Sequence, residues 1–283
     1  MIKCIAIDMD GTLLTKEHVI TEENINAIKK AQEQGVEVVI ATGRSYPEAI
    51  YILKEAGITC PMICVNGAEV RTPNGEITDF SPLDKAVAKQ IVQKLEDNDV
   101  YVEFFTSKGI FTMDMEKGIS ILKNFVETTH SDADAEKVEA ILQERVEFIT
   151  EIESSDFIFA DKDHHIYKLL TFSFDSDVLG KVRQELNEVD GIAISSSGKE
   201  NLEINGIHAQ KGLALEAFTA ERGISLMETM AIGDNYNDIS MFQRVGRAVA
   251  MGNADDAVKS QCHFVTATNE ESGVGKAILE AIK

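Results

Sequence analysis

Basic residues are scarce in this sequence. Lys and Arg together number 27 against 48 Asp and Glu, which gives the 283-residue chain a formal net charge of −21 at pH 7. Binding to a nucleic-acid backbone needs clustered cations, whereas most of these Lys and Arg stand among acidic residues. The composition therefore argues against nucleic-acid partners. It also implies that an anionic substrate would be held by a few placed cations or by a metal ion.

Long apolar runs and paired cysteines are missing as well. No apolar stretch approaches the roughly 20 residues of a membrane-spanning helix. The N-terminus does not have the pattern of a signal peptide, because its apolar run is already interrupted by an aspartate at position 8. We therefore expect a soluble, cytoplasmic protein with no membrane partner. The cysteines show no CxxC spacing for zinc or a redox dithiol, so we expect buried, reduced thiols at Cys4, Cys60, Cys64 and Cys262.

The sequence does contain a regular alternation of short apolar runs and helical patterns. The runs IKCIAI, VEVVIAT and PMICVN alternate with EENINAIKKAQEQG and YPEAIYILKEAG, and this rhythm predicts parallel strands joined by crossover helices. The alternation returns after about Gly206. Pro73, Asn74 and Gly75 separate two β-type runs and predict a hairpin.

The middle of the chain has a different pattern. From about Asp84, alternating runs such as YVEFFTSKGIFTMD, HHIYKLLTFSF and NLEI are separated by helical segments, which predicts an antiparallel sheet with helices. One segment, SDADAEKVEAILQERV, predicts a helix with an acidic start. We therefore predict an α/β fold: a doubly wound, Rossmann-like parallel sheet from residues 1–83 and 207–283, with an inserted α+β cap over residues 84–206.

The first apolar run ends in IAIDMDGT, where two aspartates flank one methionine. Asp8 ends the predicted strand and Asp10 begins its loop, at the edge of a parallel sheet where ligands bind. Residues two apart in an extended chain point the same way, so both carboxylates can face one phosphate-sized space, and Gly11 lets the backbone turn tightly. Taken alone, the motif also fits a solvated acidic turn.

Three further stretches stand at strand ends or helix starts: ATGR at 41–44, AQKG at 209–212 and GDNYND at 233–238. Together with DMDGT, their order and spelling resemble the four motifs of the haloacid dehalogenase superfamily of phosphohydrolases, and specifically its Cof-type branch. Asn66-Gly67-Ala68 and the late NEESGVG also resemble that branch. The resemblance covers almost the whole chain, and it implies a cap inserted between the second and third motifs.

The resemblance implies a catalytic set of Asp8, Asp10 and Lys211. Asp8 would attack phosphorus and form an aspartyl phosphate, which water then opens. Asp10 would protonate the leaving alcohol and later activate the water, and its pKa depends on a balance between nearby carboxylates and a metal. Lys211 would pair with Asp8 and the phosphoryl group; read alone, it is an ordinary surface lysine.

The same resemblance implies a hard divalent cation, Mg²⁺, with oxygen ligands. Asp8, the Asp10 backbone carbonyl and Asp234 would hold it directly. Asn237 and Asp238 would orient waters or Lys211 without contacting the metal. A plain helix-start carboxylate remains the alternative reading of Asp238.

A phosphate- and substrate-binding set completes the site. Its candidates are Gly11, Thr42, Gly43, Arg44, Asn66, Gly67, Glu203 and Asn237. The Thr42 hydroxyl can donate to a phosphoryl oxygen, or it can cap the following helix. Arg44 supports either the site or its loop. Glu203 lies in NLEI, which leads from the cap towards Lys211, and it is otherwise an ordinary strand residue.

Two other groups of residues invite attention. His164 and His165 are neighbours in the acidic segment DKDHH, and because neighbours in a strand point to opposite faces we expect an exposed turn and no metal site. Met227 and Met230 flank the predicted start of a strand, and we expect both in the core.

The function that these observations favour is Mg²⁺-dependent hydrolysis of small phosphorylated metabolites, with sugar phosphates as the first substrate class. A phosphatase of pyridoxal phosphate or of a flavin precursor, a phosphomutase and a non-catalytic phosphometabolite sensor stay open as alternatives. Carbon–halogen hydrolysis is disfavoured, because haloacid dehalogenases need neither a metal nor the second acid, Asp10. The oligomeric state is not predicted.

Overall fold

The computed structural model describes residues 1–129, 135–196 and 199–283. The chain forms two compact units, which we describe separately. Unit 1 comprises residues 1–81 and 208–283, and unit 2 comprises residues 82–207. Within the described residues, no helix combines the length and the hydropathy needed to cross a membrane.

The secondary structure alternates along most of the chain. The strands are β1 Cys4–Ile7, β2 Glu37–Ala41, β3 Met62–Cys64, β4 Glu69–Arg71, β5 Ile77–Phe80, β6 Tyr101–Thr106, β7 Gly109–Thr112, β8 Ile149–Glu151, β9 Ile166–Phe172, β10 Ile192–Ser195, β11 Asn201–Gly206, β12 Thr229–Gly233, β13 Arg247–Ala250 and β14 Phe264–Val265. The helices are α1 Glu22–Glu33, α2 Tyr46–Glu55, α3 Lys85–Asp97, α4 Met115–Thr129, α5 Ala135–Val146, α6 Asp156–Ala160, α7 Ser176–Leu186, α8 Lys211–Glu221, α9 Ile239–Phe242, α10 Asp256–Lys259 and α11 Gly273–Ala281.

Unit 1 contains one sheet with the order β14-β13-β12-β1-β2-β3-β4-β5. Its strands from β14 to β3 are parallel, and β4 and β5 add an antiparallel hairpin at one edge. Because the parallel strands end at the same edge, the residues that follow them come together there. These residues include Asp8, Thr42, Asn66 and Asp234.

Both faces of the central strands are covered. Ala6 of β1 belongs to a core cluster with Leu215 and Phe218 of α8, whereas Ile5 and Ile7, which point to the opposite face, are also fully buried. Two-sided burial explains why these strands read as continuous apolar runs. The predicted doubly wound parallel sheet is confirmed.

Unit 2 contains a second sheet with the order β10-β11-β9-β6-β7-β8. Its strands are antiparallel except for the β7–β8 pair. A core cluster on one face of this sheet includes Ile91 of α3, Val182 of α7 and Phe104 of β6. The acidic start that we predicted for a helix over 131–146 falls on residues 131–134, which lie outside the described residues.

Charged side chains occupy the other face of the unit 2 sheet. Glu103 and Glu203 are both paired with Leu170, one on each side of β9, and Lys168 is the next residue of β9 on that face. All three charged residues are buried. Lys168 Nζ lies 3.5 Å from Glu203 Oε2 and 4.3 Å from the centre of the Phe105 ring.

Two local expectations were wrong. His164 is buried, because its ring packs against Phe111 and Phe157, and its Nε2 lies 2.8 Å from Thr106 Oγ1. Met227 is 74% exposed because it lies in a short helical turn before β12, whereas Met230 is in the core as expected.

The cysteines are all free thiols. Cys4, Cys60 and Cys64 are buried, as the sequence predicts, and Cys262 is partly exposed. Burial raises the pKa of Cys4 and of Cys60 to about 12, which disfavours the reactive thiolate form.

Candidate active site

The turn after β1 is irregular. The Leu13 N–H donates to the Asp8 carbonyl at 3.2 Å and the Leu14 N–H to the Met9 carbonyl at 2.9 Å, so each bond spans five residues. Gly11 has a φ of 74°, and a Cβ at this position would overlap the Asp234 carboxylate. Only glycine combines this backbone conformation with this close approach.

Lys211 joins two aspartates that come from different ends of the chain. Its Nζ donates to Asp8 Oδ1 at 2.6 Å and to Asp238 Oδ1 at 2.7 Å. Lys211 is the first residue of α8 and is fully buried. The reading of Lys211 as a surface lysine is therefore wrong.

Asp238 also organises the loop after β12. Its Oδ2 accepts hydrogen bonds from the backbone N–H groups of Asp234 at 3.0 Å and Asn235 at 3.1 Å, so it does act as a helix-start carboxylate. Its Oδ1 accepts from Lys211. Asp238 therefore fixes both the loop that carries Asp234 and the lysine that faces Asp8.

Burial and mutual repulsion shift the pKa values of this cluster. Burial, followed by Asp238, raises the pKa of Asp8 well above its ordinary value, although Lys211 opposes the shift. The same two causes raise the pKa of Asp234 to about 7. Burial would lower the pKa of Lys211, but Asp238 and Asp8 outweigh it and raise that pKa. The site thus concentrates negative charge that one ammonium group only partly offsets.

The donor set fits a hard divalent cation. Asp8, Asp234 and Asp238 each offer a carboxylate oxygen, and these atoms lie within 4.8 Å of one another. Both oxygens of Asp238 already accept hydrogen bonds, which leaves Asp8 and Asp234 as the better ligands. Thr12 Oγ1 donates to Asp234 Oδ1 at 2.8 Å and orients that carboxylate.

Asp10 forms a two-point ion pair with Arg44. Arg44 Nε donates to Asp10 Oδ2 at 2.9 Å and Arg44 Nη2 to Asp10 Oδ1 at 2.6 Å, while Nη2 also lies 3.2 Å from His18 Nδ1. Partial desolvation would raise the pKa of Asp10, whose side chain is half exposed, but Arg44 outweighs this effect and lowers that pKa. The sequence reasoning considered only carboxylates and a metal around Asp10, and it missed both Arg44 and His18 as its neighbours.

The sequence left two roles open for Thr42, which are capping of the following helix and donation to a phosphoryl oxygen. Ser45 is the N-terminal capping residue of α2, with its N–H donating to Glu48 Oε2 at 2.8 Å. Thr42 therefore does not cap this helix. Its buried Oγ1 accepts from the Arg44 N–H at 3.1 Å, an arrangement that leaves the hydroxyl proton to be donated elsewhere. Gly43 stands between Thr42 and Arg44 in the chain.

The loop after β3 has a strained backbone. Val65, Asn66 and Gly67 have successive φ values of 50°, 58° and 97°, and the first of these is unusual for a β-branched residue. A Cβ at Gly67 would lie 2.5 Å from the Gln210 carbonyl oxygen, so this loop packs directly against the start of α8. Backbone strain of this kind is concentrated at functional sites.

Asn237 connects this loop with the loop after β12. Its Nδ2 donates to Asn66 Oδ1 at 3.2 Å. Among the described residues its Oδ1 is buried without a hydrogen-bond partner, which favours a water or ligand group beside it. Glu203 belongs to unit 2.

The chain is similar to known proteins along almost its whole length. The family model of haloacid dehalogenase-like hydrolases matches residues 5–278. The chain is 35% identical to phosphatase YwpJ of Bacillus subtilis, over 96% of this chain and 97% of that protein. It is also 35% identical to the 5-amino-6-(5-phospho-D-ribitylamino)uracil phosphatase YwtE of the same organism, over 96% of this chain and 95% of that protein.

A haloacid dehalogenase-like hydrolase from B. subtilis shares the fold, with a TM-score of 0.89 and 33% identity over 98% of this chain and 99% of that chain. These similarities extend over both units, and the family match includes each of the four motifs. The chain therefore belongs to the haloacid dehalogenase-like hydrolases, as a phosphoric monoester hydrolase of their Cof-type branch.

Proposed function

We propose that this phosphatase hydrolyses small phosphorylated metabolites in a Mg²⁺-dependent reaction with Asp8 as the nucleophile. The observation that supports this proposal most strongly is the buried ammonium group of Lys211, 2.6 Å from Asp8 and 2.7 Å from Asp238. A buried cation paired with a carboxylate at a strand end is suited to receive a phosphate dianion.

The proposed reaction has two displacements at phosphorus. A carboxylate oxygen of Asp8 attacks phosphorus, and the bond from phosphorus to the alcohol oxygen breaks. The alcohol leaves with a proton from Asp10. Water then attacks the aspartyl phosphate, gives a proton to Asp10, and releases inorganic phosphate with Asp8 restored.

Arg44 favours one of the two protonation states that Asp10 needs in this cycle. Its ion pair lowers the pKa of Asp10 and so favours the ionised form that takes a proton from water. Protonation of the leaving alcohol requires the opposite state. We infer that movement of Arg44 towards the substrate phosphate would release Asp10 to carry that proton.

Asp8, Asp234 and the Asp10 backbone carbonyl would hold Mg²⁺. When bound, the cation would neutralise part of the negative charge that repels a carboxylate nucleophile. Lys211 supplies the fixed positive charge of the protein itself. The Thr42 hydroxyl would donate to a phosphoryl oxygen, because its own oxygen already accepts from the Arg44 N–H, and Gly11 and Gly43 would let the backbone approach the phosphate.

For the substrate we propose sugar phosphates, selected by unit 2. One face of its sheet carries both donors and acceptors, from Glu103, Lys168, Glu203 and Asn205. Mixed hydrogen-bonding groups of this kind suit a leaving alcohol with several hydroxyl groups. Within this set we assign Glu203 the role of selecting among substrates. In unit 1 we assign the role of contacting the substrate to Asn66, Gly67 and Asn237.

A flavin precursor is the second candidate substrate. The relative YwtE is named for 5-amino-6-(5-phospho-D-ribitylamino)uracil, whose phosphate is carried by a polyhydroxylated ribityl chain. That chain has the same chemistry as an open-chain sugar phosphate. Both candidates therefore need the same recognition of hydroxyl groups next to the phosphate ester.

The proposal is tested by inorganic phosphate release from a panel of sugar phosphates, the ribityl flavin precursor and pyridoxal phosphate, with Mg²⁺ and with EDTA. We expect metal-dependent release that is greatest for esters of polyhydroxylated alcohols. Release that is unaffected by EDTA would contradict the metal requirement. A folded protein that transfers phosphate between hydroxyl groups would be a mutase, and one that binds these esters without turnover would be a sensor.

A further inference from the structure

The irregular turn after Asp8 is held by the side chains of three asparagines. Asn253 Nδ2 donates to the Gly11 carbonyl at 2.8 Å, Asn24 Nδ2 to the Leu13 carbonyl at 3.4 Å, and Asn269 Nδ2 to the Leu14 carbonyl at 2.9 Å. The two backbone bonds that close the turn use the carbonyls of Asp8 and Met9. Carbonyls in such a turn need other donors, and the asparagines supply them.

Asn253 differs from the other two because its side chain is exposed, whereas Asn24 and Asn269 are buried. It follows β13, at the same edge of the sheet as Asp8. Its Oδ1 accepts from the Asn269 N–H at 3.0 Å, which leaves its Nδ2 directed at Gly11. One exposed amide therefore connects the loops after β13 and β14 with the turn after β1.

Asn253 donates to the carbonyl of Gly11, a residue that lies close to the candidate metal ligands. A Cβ on Gly11 would overlap the Asp234 carboxylate, and the next residue, Thr12, donates to Asp234 Oδ1 at 2.8 Å. The residue before Gly11 is Asp10, whose carbonyl is a proposed ligand. A shift of the Gly11 carbonyl would therefore displace both the Asp10 carbonyl and the Asp234 carboxylate, which are proposed to hold the cation.

We propose that Asn253 is a positioning residue for the divalent-cation site, an inference that rests on the proposed function. It acts through the backbone: the hydrogen bond to Gly11 sets the distance between the turn and Asp234. Loss of this bond weakens cation binding and slows phosphate release. Groups that orient metal ligands in this indirect way typically change metal affinity or activity by about 10- to 100-fold when they are removed.

Because Asn253 is exposed, it can be substituted without disturbing the hydrophobic core. Asn253→Ala removes both hydrogen bonds without opening a cavity in the core. Asn253→Asp keeps the acceptor for Asn269 but places a carboxylate against the Gly11 carbonyl. The matched control is Gln32→Ala, which removes another side-chain amide bond in unit 1, from Gln32 Nε2 to the Thr59 carbonyl at 3.0 Å, away from the four motifs in sequence.

The experiment is calorimetric titration of each purified protein with Mg²⁺ alone, followed by phosphate release at saturating Mg²⁺. We expect Asn253→Ala and Asn253→Asp to raise the Mg²⁺ dissociation constant about tenfold, while Gln32→Ala matches the wild type. We also expect the metal-free melting temperature of Asn253→Ala to lie slightly below that of Gln32→Ala, since Asn253→Ala loses two hydrogen bonds and Gln32→Ala loses one.

Three results would overturn the inference. These are unchanged Mg²⁺ affinity in Asn253→Ala, unchanged affinity in Asn253→Asp, and a wild-type protein that binds no Mg²⁺, which would also contradict the proposed metal requirement. Failure of the proposed function is distinguishable from the first two results. A wild-type protein that binds Mg²⁺ but releases no phosphate would contradict the phosphatase mechanism, and the titrations would still decide the role of Asn253.

Discussion

The ammonium group of Lys211 lies 2.6 Å from a carboxylate oxygen of Asp8, although the two residues are 203 positions apart in the chain. The contact arises because β1 and α8 both meet the same edge of the sheet in unit 1. Lys211 is fully buried there, between Asp8 and Asp238. Its single positive charge only partly offsets these two buried carboxylates, and we propose that Asp8 is the carboxylate that a phosphate would meet.

Removal of the Lys211 charge should destabilise the fold. Lys211→Met leaves two buried carboxylates without their cation, so we expect a loss of about 3–5 kcal/mol in the free energy of unfolding. Urea titration at about pH 8 in EDTA measures this loss. The control is Lys29→Met, which removes an exposed lysine of α1. Equal effects of the two substitutions would contradict the importance of the buried cluster.

Arg44→Gln should change the pH dependence of the reaction. Arg44 lowers the pKa of Asp10, so its removal raises that pKa. Formation of the aspartyl phosphate needs protonated Asp10 and its hydrolysis needs ionised Asp10, so the alkaline limb of kcat/KM and the acid limb of dephosphorylation should both move to higher pH.

The Arg44 prediction is checked by pH profiles of single-turnover and steady-state rates. His18→Gln is the control, because it removes one neighbour of Arg44 and leaves the two-point ion pair with Asp10 intact. We expect a smaller shift in the same direction. Profiles of Arg44→Gln that coincide with those of the wild type would show that Asp10 does not carry these protons.

Stabilisation by Mg²⁺ should increase with pH. The pKa of Asp234 is raised from 3.8 to about 7 in the fold, so the folded protein holds a proton that the unfolded chain has lost. The metal-free fold therefore loses stability as the pH rises between these values. Because Mg²⁺ binds the ionised carboxylates, it should raise the melting temperature more at about pH 8 than at about pH 5.5. A shift that is independent of pH would contradict this assignment.

Glu203→Ala should alter substrate preference without altering the response to Mg²⁺. Glu203 is buried in unit 2 beside Lys168, whereas the proposed metal ligands belong to unit 1. We expect the ratio of kcat/KM values between a sugar phosphate and pyridoxal phosphate to change about tenfold, with the half-saturating Mg²⁺ concentration unchanged.

Two further variants keep the Glu203 prediction decisive. Glu203→Gln preserves the shape of the side chain if the alanine variant folds poorly. Glu185→Ala removes a glutamate near Lys181 in the same unit, where the oxygen-to-nitrogen distance is 3.7 Å, and should leave preference unchanged. An equal loss on every substrate, or no change at all, would rule out the selective role of Glu203.

Much of the fold was predictable because burial leaves a clear signal in the sequence. Strands covered on both faces read as apolar runs: β1 is apolar throughout, and β2 is apolar after its first residue, Glu37. The hairpin turn contains Pro73, Asn74 and Gly75. His164 was misjudged because its neighbours in DKDHH are acidic, whereas its burial comes from two phenylalanines outside that segment, Phe111 and Phe157.

The site was predictable only as a set of motifs. Motif order indicates which residues approach the sheet edge, but it does not show which side chains pair. The two-point contact between Asp10 and Arg44 depends on the conformations of both side chains. Asn253 was missed because MGNA reads as an ordinary loop, and its hydrogen bond to a carbonyl of the first motif depends on the parallel pairing of β13 with β12.

The proposed reaction depends above all on Asp8, which would form an aspartyl phosphate. The most direct test mixes the Mg²⁺-loaded enzyme with its best substrate, quenches in acid, reduces with borohydride and analyses the N-terminal peptide by mass spectrometry. Borohydride converts an aspartyl phosphate to homoserine, so we predict homoserine at position 8 in the wild type and none in Asp8→Asn, which should also lose at least about 10³-fold in kcat. Full turnover with no trapped product at position 8, or phosphate release retained by Asp8→Asn, would contradict the account.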